Sequence, residues 1–374
     1  MTIRYRDLTI PKGEVRFKYL DAIERVYDHG KFILGPEVEE LEARLANISR
    51  RSFCRSVNSG TFALTATLLY LRKRYGSERD EVILPAISWV ATAQAVIAAG
   101  LKPVFADTNS DFFISTSRVE ELICKKTLCV VAVDFTGYVS SDYADLVDLC
   151  RAYSVELIQD SAQSFGANTT INDAFYSSCG IGYASVLSIN SMKLLPSHGE
   201  GGAVLTDDIE LAQFVERFRY QGCVDRIPLE YGVNGRMETI QAAIALVSLE
   251  YYEQWIYMRR LIADRYYQGL ADIRGVYMKK FDRSIFHTYY SLQIGVERRE
   301  KLCSMLKDSC VEYQLQYPYI LSDLSFLSHF KASDMQVSRR ITATSLCLPC
   351  HEKLLPQDIE KVISIVREFT SEVF

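Results

Sequence analysis

A chain of 374 residues, 48% hydrophobic and 24% charged, is long enough for one large domain and a smaller one around well-filled cores. Its net charge of −5 and pI near 5.7 give no electrostatic basis for attraction to nucleic acid or anionic lipid. The first twelve residues are too polar for a secretory signal, and no apolar run approaches a membrane span, so a cytoplasmic protein is expected.

From residue 56 to 206, short apolar runs predict strands at 82–85, 103–106, 128–133, 156–158, 184–189 and 203–205. Helical patterns lie near 61–73, 88–99, 116–123, 141–153 and 207–219. Continuous β-branched runs alternating with helices predict an α/β fold with a mostly parallel sheet covered on both faces. After residue 236 the pattern changes. A long helix is expected over 237–260, with Ile240, Ala243, Ile244, Val247 and Tyr251 on one face. It leads from a large domain (1–248, with its N-terminal segment) into a smaller α+β domain (249–374). That domain closes on a helix over 357–370 carrying Ile359, Val362, Ile363 and Val366 at helical spacing. The ten cysteines show no disulfide-framework spacing. Cys347, Cys350 and His351 formally match a haem-attachment pattern, but a short strand ending at Pro349 is the simpler reading. With no second ligand pair, no metal site is expected.

Parallel sheets bind ligands at the carboxyl ends of their strands, so the polar residues following each run carry the chemistry. Ser59 is a good N-cap and Gly60 permits close backbone approach. Together with Thr61 they open a helix whose unpaired first-turn amides suit a phosphate, though an ordinary capped helix reads the same way. Trp89 follows the strand at 82–85, where a flat ring could stack on it; a core tryptophan is the alternative. Asp160 ends an apolar strand, and a buried carboxylate must meet a cation or hydrogen-bond donors. Gln163 follows three residues later. Ser188 and Lys193 end the strand at 184–189, where partial desolvation makes a lysine nucleophilic toward a carbonyl. Gly201 and Gly202 then turn the chain into the next strand. Asn234 lies between Gly232 and Gly235, with Arg236 beyond, just before the long helix. A glycine pattern at 179–185 superficially matches a dinucleotide loop, the basis of a rival nicotinamide-dependent oxidoreductase reading. It precedes a strand and lacks both a third glycine and a following helix.

The order of these features is what a pyridoxal phosphate requires: anion site, ring platform, counter-ion for the ring nitrogen, partner for the phenolic oxygen, and amine. In that order the chain resembles the DegT/DnrJ/StrS family of sugar aminotransferases, on the type I fold shared with aspartate aminotransferase. The stretches carrying the resemblance are FILGPEVEELE (32–42), SGTFAL (59–64), DEVILP (80–85), DSAQSFGA (160–167), GEGGA (199–203), RMETIQAA (236–243) and LCLP (346–349). The resemblance implies that Lys193 holds pyridoxal 5′-phosphate as a Schiff base and that Asp160 pairs with its ring nitrogen. It implies that Trp89 stacks on the ring and Gln163 bonds the phenolic oxygen. Ser59, Gly60, Thr61 and Ser188 hold the phosphate, with Asn234 reaching the site of the other subunit of a homodimer. Arg236, His287 and Tyr317 match substrate-side positions. Glutamate is the implied donor, and a keto-sugar, nucleotide-linked, the implied acceptor. A cyclitol or other keto-acceptor, and an aromatising or dehydrating reaction, are alternatives on the same fold, although the dehydratases carry histidine where this chain has Lys193. Three departures, at 189–192, at Gly235 and at 168–179, lie where substrate should approach.

Overall fold

The apolar runs read from the sequence align side by side in one sheet. The computed structural model describes residues 2–282 and 284–373. Its first strands are β1 (Phe53–Val57), β2 (Glu81–Pro85), β3 (Lys102–Ala106), β4 (Thr127–Val133) and β5 (Glu156–Asp160). After a hairpin of β6 (Asn168–Ile171) and β7 (Ala174–Ser177) come β8 (Ala184–Ser188) and β9 (Gly202–Thr206). The seven-stranded sheet has the order β1-β9-β8-β5-β4-β2-β3. Its strands from β8 to β3 run parallel, and β9 alone is reversed against both of its neighbours. Every residue of β4, β8 and β9 is buried, as expected of strands covered by helices on both faces.

Two helices precede the sheet in a segment where the sequence analysis assigns none: α1 (Glu14–His29) and α2 (Pro36–Ser49). Each buries only a narrow stripe. In α1 it is Tyr19, Ala22 and Val26, which meet Ala243, Ile244 and Val247. The layers over the sheet are α3 (Gly60–Tyr75), α4 (Ala91–Ala98), α5 (Thr116–Leu122), α6 (Tyr143–Ala152) and α7 (Ile209–Phe218). The side chain of Asp208 caps α7, accepting from the amide of Glu210 at 2.7 Å.

The long helix, α8 (Thr239–Leu270), runs ten residues past the expected end at 260. It changes core on the way. Ala242, Ala245, Tyr252 and Ile256 pack under the large sheet, whereas Ile262, Ala263, Tyr266 and Leu270 pack in a second core. Position 248/249 therefore falls inside a continuous helix. The second core surrounds an antiparallel sheet of Val276–Tyr277, Leu292–Val296 and Ser345–Leu348. Against it lie α9 (Arg299–Asp308) and, beyond α10 (Gln336–Thr344), α11 (Pro356–Val373), whose Ile359, Val362, Ile363 and Val366 are all buried there. The intervening Ile320, Leu321, Leu327 and Met335, with Ile341 of α10, return to the core of the large sheet. Chain beyond 249 thus contributes to both cores.

Three local features resolve questions left by the sequence. The departure at 168–179 is the β6–β7 hairpin, whose turn residues Asn172 and Asp173 have φ of 48° and 62°. These two residue types tolerate the left-handed region in place of glycine. Gly182, also left-handed at φ 71°, leads directly into β8 with no helix following, so the glycine pattern there is not a dinucleotide loop. Cys347 and Cys350 are buried at a strand end, and His351 Nε2 lies 3.2 Å from the carbonyl of Arg4. Among the described residues no helix is long and apolar enough to cross a membrane.

Candidate active site

The carboxyl ends of β2, β4, β5 and β8 open into a cleft of about 600 Å³. It is lined by Ser59, Gly60, Thr61, Trp89, Asp160, Gln163, Ser188, Lys193 and Tyr317. Nine of the twelve residues singled out from the sequence thus converge on one space.

Its floor is the start of α3. Ser59 Oγ accepts from the amide of Phe62 at 3.1 Å, capping the helix and leaving the first-turn amides ahead of it, those of Gly60 and Thr61, for an incoming anion. The backbone approach is close enough to exclude side chains. A Cβ on Gly60 would sit 2.9 Å from Ser188 Cβ, and one on Gly202 would sit 2.4 Å from the carbonyl carbon of Ser59. Gly202→Ala must therefore push the cradle away from β9. It is expected to cost about 1–3 kcal/mol, as overpacking does, read as a shift in the midpoint of urea unfolding.

Asp160 ends β5 and is only 8% exposed. Its Oδ1 accepts from the amide of Ala162 at 3.1 Å and its Oδ2 from the hydroxyl of Thr92 at 3.4 Å. Thr92 is itself held by Ser88 at 2.7 Å. Burial pushes the Asp160 carboxyl above its ordinary range; the Ala162 amide, the charge of Lys193 and the Thr92 hydroxyl only partly oppose this. Asp160 makes no ion pair among the described residues. It is a buried acid facing the cleft, where a closely paired cation would stabilise its charged form.

Behind it stands a second acid. Asp134 follows β4, its amide donating to the carbonyl of Asp160 at 3.0 Å. Tyr143 donates to Oδ1 at 2.7 Å, while Gln159, Ser161 and Ser164 donate to Oδ2 at 2.9, 3.2 and 2.7 Å. Burial nevertheless pushes this carboxyl up to about 7, against the hydrogen bonds of Tyr143, Ser164 and Ser161 and with help from the charge of Asp160. The folded protein then holds a proton that an unfolded chain, with its aspartates near 3.8, has released. Stability should fall as pH rises from about 4 to about 7 and level off above that, by an amount on the order of a few kcal/mol. Urea unfolding between pH 5 and 8 should show this slope, and Asp134→Asn should flatten it. An unchanged slope in the variant would exclude Asp134 as its source.

The walls complete the site. Gln163 Oε1 accepts from the amide of Thr136 at 3.0 Å and from Gln316 at 3.2 Å, which turns its amino group toward the hydroxyl of Tyr317 at 3.4 Å. The ring of Trp89, 54% exposed, lies 5.7 Å from that of Tyr317. Lys193 follows β8 in a loop held by backbone bonds, Ile189 to Gly201 at 2.9 Å and Lys193 to Asn190 at 2.8 Å. Its Nζ lies 5.1 Å from the ring centre of Tyr290.

Three residues are not brought to the cleft. His287 is buried in a separate aromatic cluster, stacked on Tyr289 at 4.1 Å, and is not among the residues lining this cleft. Asn234 is exposed. Arg236 donates to Asn234 Oδ1 at 3.2 Å and lies over the ring of Tyr220 at 4.9 Å, rather than pairing with a carboxylate. Their loop is tied down through Gly235, whose carbonyl accepts from the amide of Asn58 at 2.8 Å. The Phe62 ring covers Gly235 so closely that a Cβ would meet it at 2.1 Å, so no larger side chain fits there. Conversely, Arg6, Thr92, Gln316 and Tyr290 line the cleft unheralded. The spacing Ser88–Thr92, one helical turn, was the only available signal.

The fold belongs to a class of known aminotransferases. With a TM-score of 0.91 and 27% identity, covering 99% of this chain and 98% of the other, it matches DesV of S. venezuelae, solved in complex with a ketimine intermediate. A model of the DegT/DnrJ/EryC1/StrS aminotransferase family matches residues 15–367, and the chain belongs to that family. It is 31% identical to the UDP-2-acetamido-2-deoxy-3-oxo-D-glucuronate aminotransferase of Pseudomonas aeruginosa, covering 94% of this chain and 96% of that one. It is 29% identical to the dTDP-3-amino-3,4,6-trideoxy-alpha-D-glucose transaminase of Micromonospora megalomicea subsp. nigra, covering 94% and 95%. The protein is an aminotransferase.

Proposed function

We propose that the protein moves an amino group from glutamate to a nucleotide-linked keto-sugar, using pyridoxal 5′-phosphate held by Lys193. The observation that carries the cofactor is Asp160, a buried carboxyl that makes no ion pair among the described residues and would be stabilised by a closely paired cation. A protonated pyridine nitrogen is such a cation, and the α3 cradle beside Ser188 accepts a phosphate. The sugar acceptor rests on the activities named for the two relatives.

When bound, pyridoxal phosphate supplies an electron sink for a carbon that gives up a proton. The chain's own groups do the rest. Asp160 keeps a proton on the ring nitrogen, favoured because an unpaired carboxylate is costly at that depth. The first turn of α3 and Ser188 fix the phosphate, Trp89 covers one ring face, and the amino group of Gln163 orients the phenolic oxygen. Lys193 Nζ takes the proton from the amine-bearing carbon of glutamate and returns one to the carbon that receives the amine. Purified protein should be yellow. Borohydride reduction and peptide mapping should place the pyridoxyl label on Lys193, and a label on any other lysine would sink the assignment. The pyridoxamine form should then regain the starting spectrum with nucleotide keto-sugars but not with free sugars or cyclitol ketones. Equal response to the free compounds would leave only the transaminase reading.

We also propose a homodimer in which Asn234 reaches the partner's phosphate site. Supporting it, Asn234 is exposed beside a hairpin that carries Ile227, Leu229 and Tyr231 into solvent, Tyr231 at 80% exposure. Monomers rarely leave such a patch uncovered. Mixing inactive Lys193→Ala and Asn234→Ala subunits should regenerate activity, because one site of each mixed dimer is intact. Mixed dimers that form and stay inactive would refute the shared site.

A further inference from the structure

One charged group in the cleft has no task in the reaction described above. Arg6 comes from the N-terminal segment, which is fixed on both sides of it. The amide of Ile3 donates to the carbonyl of Cys310 and the amide of Tyr5 to Glu312 Oε2, both at 2.9 Å. Beyond it, Lys353 Nζ donates to the carbonyl of Asp7 at 2.9 Å. The guanidinium lies 3.9 Å from the ring centre of Tyr290, the same ring that Lys193 Nζ approaches to 5.1 Å. The Arg6 guanidinium donates to two neutral carbonyls, those of Met192 and Tyr290. Neither neutralises its charge, and Arg6 makes no ion pair with a carboxylate among the described residues.

The acids lining the cleft are otherwise engaged. Asp160 would pair with the ring nitrogen of the cofactor, and Glu200 accepts from the amide group of Asn190. Two cations therefore lie against one aromatic ring, and among the described residues no carboxylate pairs with either. The phenol of Tyr290 registers this: burial pushes it up, yet the charges of Arg6 and Lys193 overcome that and leave it below the ordinary tyrosine range. A guanidinium has five N–H donors in a rigid fork, so two carbonyl contacts leave room for a two-pronged contact.

We propose that Arg6 is a carboxylate-binding residue of the active site, receiving a carboxylate of the substrate next to the amine of Lys193. Either substrate could bring it. Glutamate carries two carboxylates, and an acceptor of the uronate type carries one on the sugar. The inference rests on the aminotransferase reading, but the two fail separately: that reading falls if Lys193 takes no pyridoxyl label, whatever Arg6 does.

The test is titration calorimetry of the holoenzyme with three unreactive probes: glutarate, UDP-glucuronate and UDP-glucose. Arg6→Gln is expected to weaken binding of at least one carboxylate-bearing probe tenfold or more, while UDP-glucose changes by less than threefold. Loss confined to glutarate assigns the site to the donor, and loss confined to UDP-glucuronate assigns it to the acceptor. Arg6→Lys keeps the charge without the fork and should lose at least threefold for the same probe. If Arg6→Gln does not fold, the lysine variant decides alone. Binding of both carboxylates within twofold of wild type overturns the proposal, as does equal weakening of all three probes.

Discussion

Lys193→Ala is expected to slow amine transfer by about 10²–10⁴-fold through the loss of proton transfer alone, and to end covalent retention of the cofactor as well. The variant is a clean test because the loop does not depend on the side chain. Its position is set by backbone bonds, Ile189 to Gly201, Ser197 to Ile189 and Lys193 to Asn190, which alanine preserves. The melting temperature should therefore move little while turnover collapses. Lys193→Arg separates two explanations. It keeps a cation over the Tyr290 ring but offers no amine able to attack a carbonyl or carry a proton at neutral pH. If charge were the contribution of Lys193, the arginine variant would retain most of the activity. If the amine is what acts, both variants are equally poor, and a small primary amine added to Lys193→Ala restores part of the rate. Wild-type turnover in either variant would remove Lys193 from the reaction.

How far the site could be read beforehand follows from where its parts lie in the chain. Asp160, Ser188 and Lys193 sit at or just past the ends of buried strands, and a parallel sheet brings such ends together whatever its detailed strand order. That is why a strand pattern plus the polar residue after each run located most of the cleft. Arg6 and Tyr290 arrive differently. Arg6 is placed by an isolated bridge between Ile3 and Val311, and Tyr290 by a segment pinned to Thr136 and Gly137 through the amides of Ser291 and Thr288. Contacts between segments so far apart in the chain, Ile3 with Val311 and Ser291 with Thr136, leave no periodic trace. The helices α1 and α2 were missed for a related reason. Their buried faces are thin stripes in otherwise charged segments, made stable by the flank of α8 rather than by their own composition. His287 lies apart from the cleft, buried among Tyr138, Phe281 and Tyr289, a placement that a match of sequence position does not reveal.

Asp160→Asn should act in opposite directions on the protein with and without cofactor. Asparagine has the same shape and can keep the contacts to Ala162 and Thr92, so the cleft should persist. Without cofactor, wild type carries a buried carboxyl whose folded pKa is raised by burial. A raised carboxyl contributes most below its unfolded pKa, and its contribution is lost as pH climbs to the folded value. Wild type loses that contribution as pH rises above the unfolded value, and the neutral amide avoids the loss. The apo variant should therefore melt at or above the wild-type temperature at pH 7.5, with the gap closing toward pH 4. With cofactor the sign reverses. The amide cannot hold a proton on the ring nitrogen, and removing one member of a buried pair costs about 3–5 kcal/mol. Placed on the barrier, that is a loss of about 10²–10⁴-fold in kcat. Asp160→Glu would restore the charge without the geometry and should recover only part of the rate. The decisive measurement is the pair of melting curves beside the rate. An apo protein destabilised by the asparagine would mean that Asp160 is already satisfied by its own surroundings. In that case the counter-ion argument for the cofactor would fail, even if activity were lost.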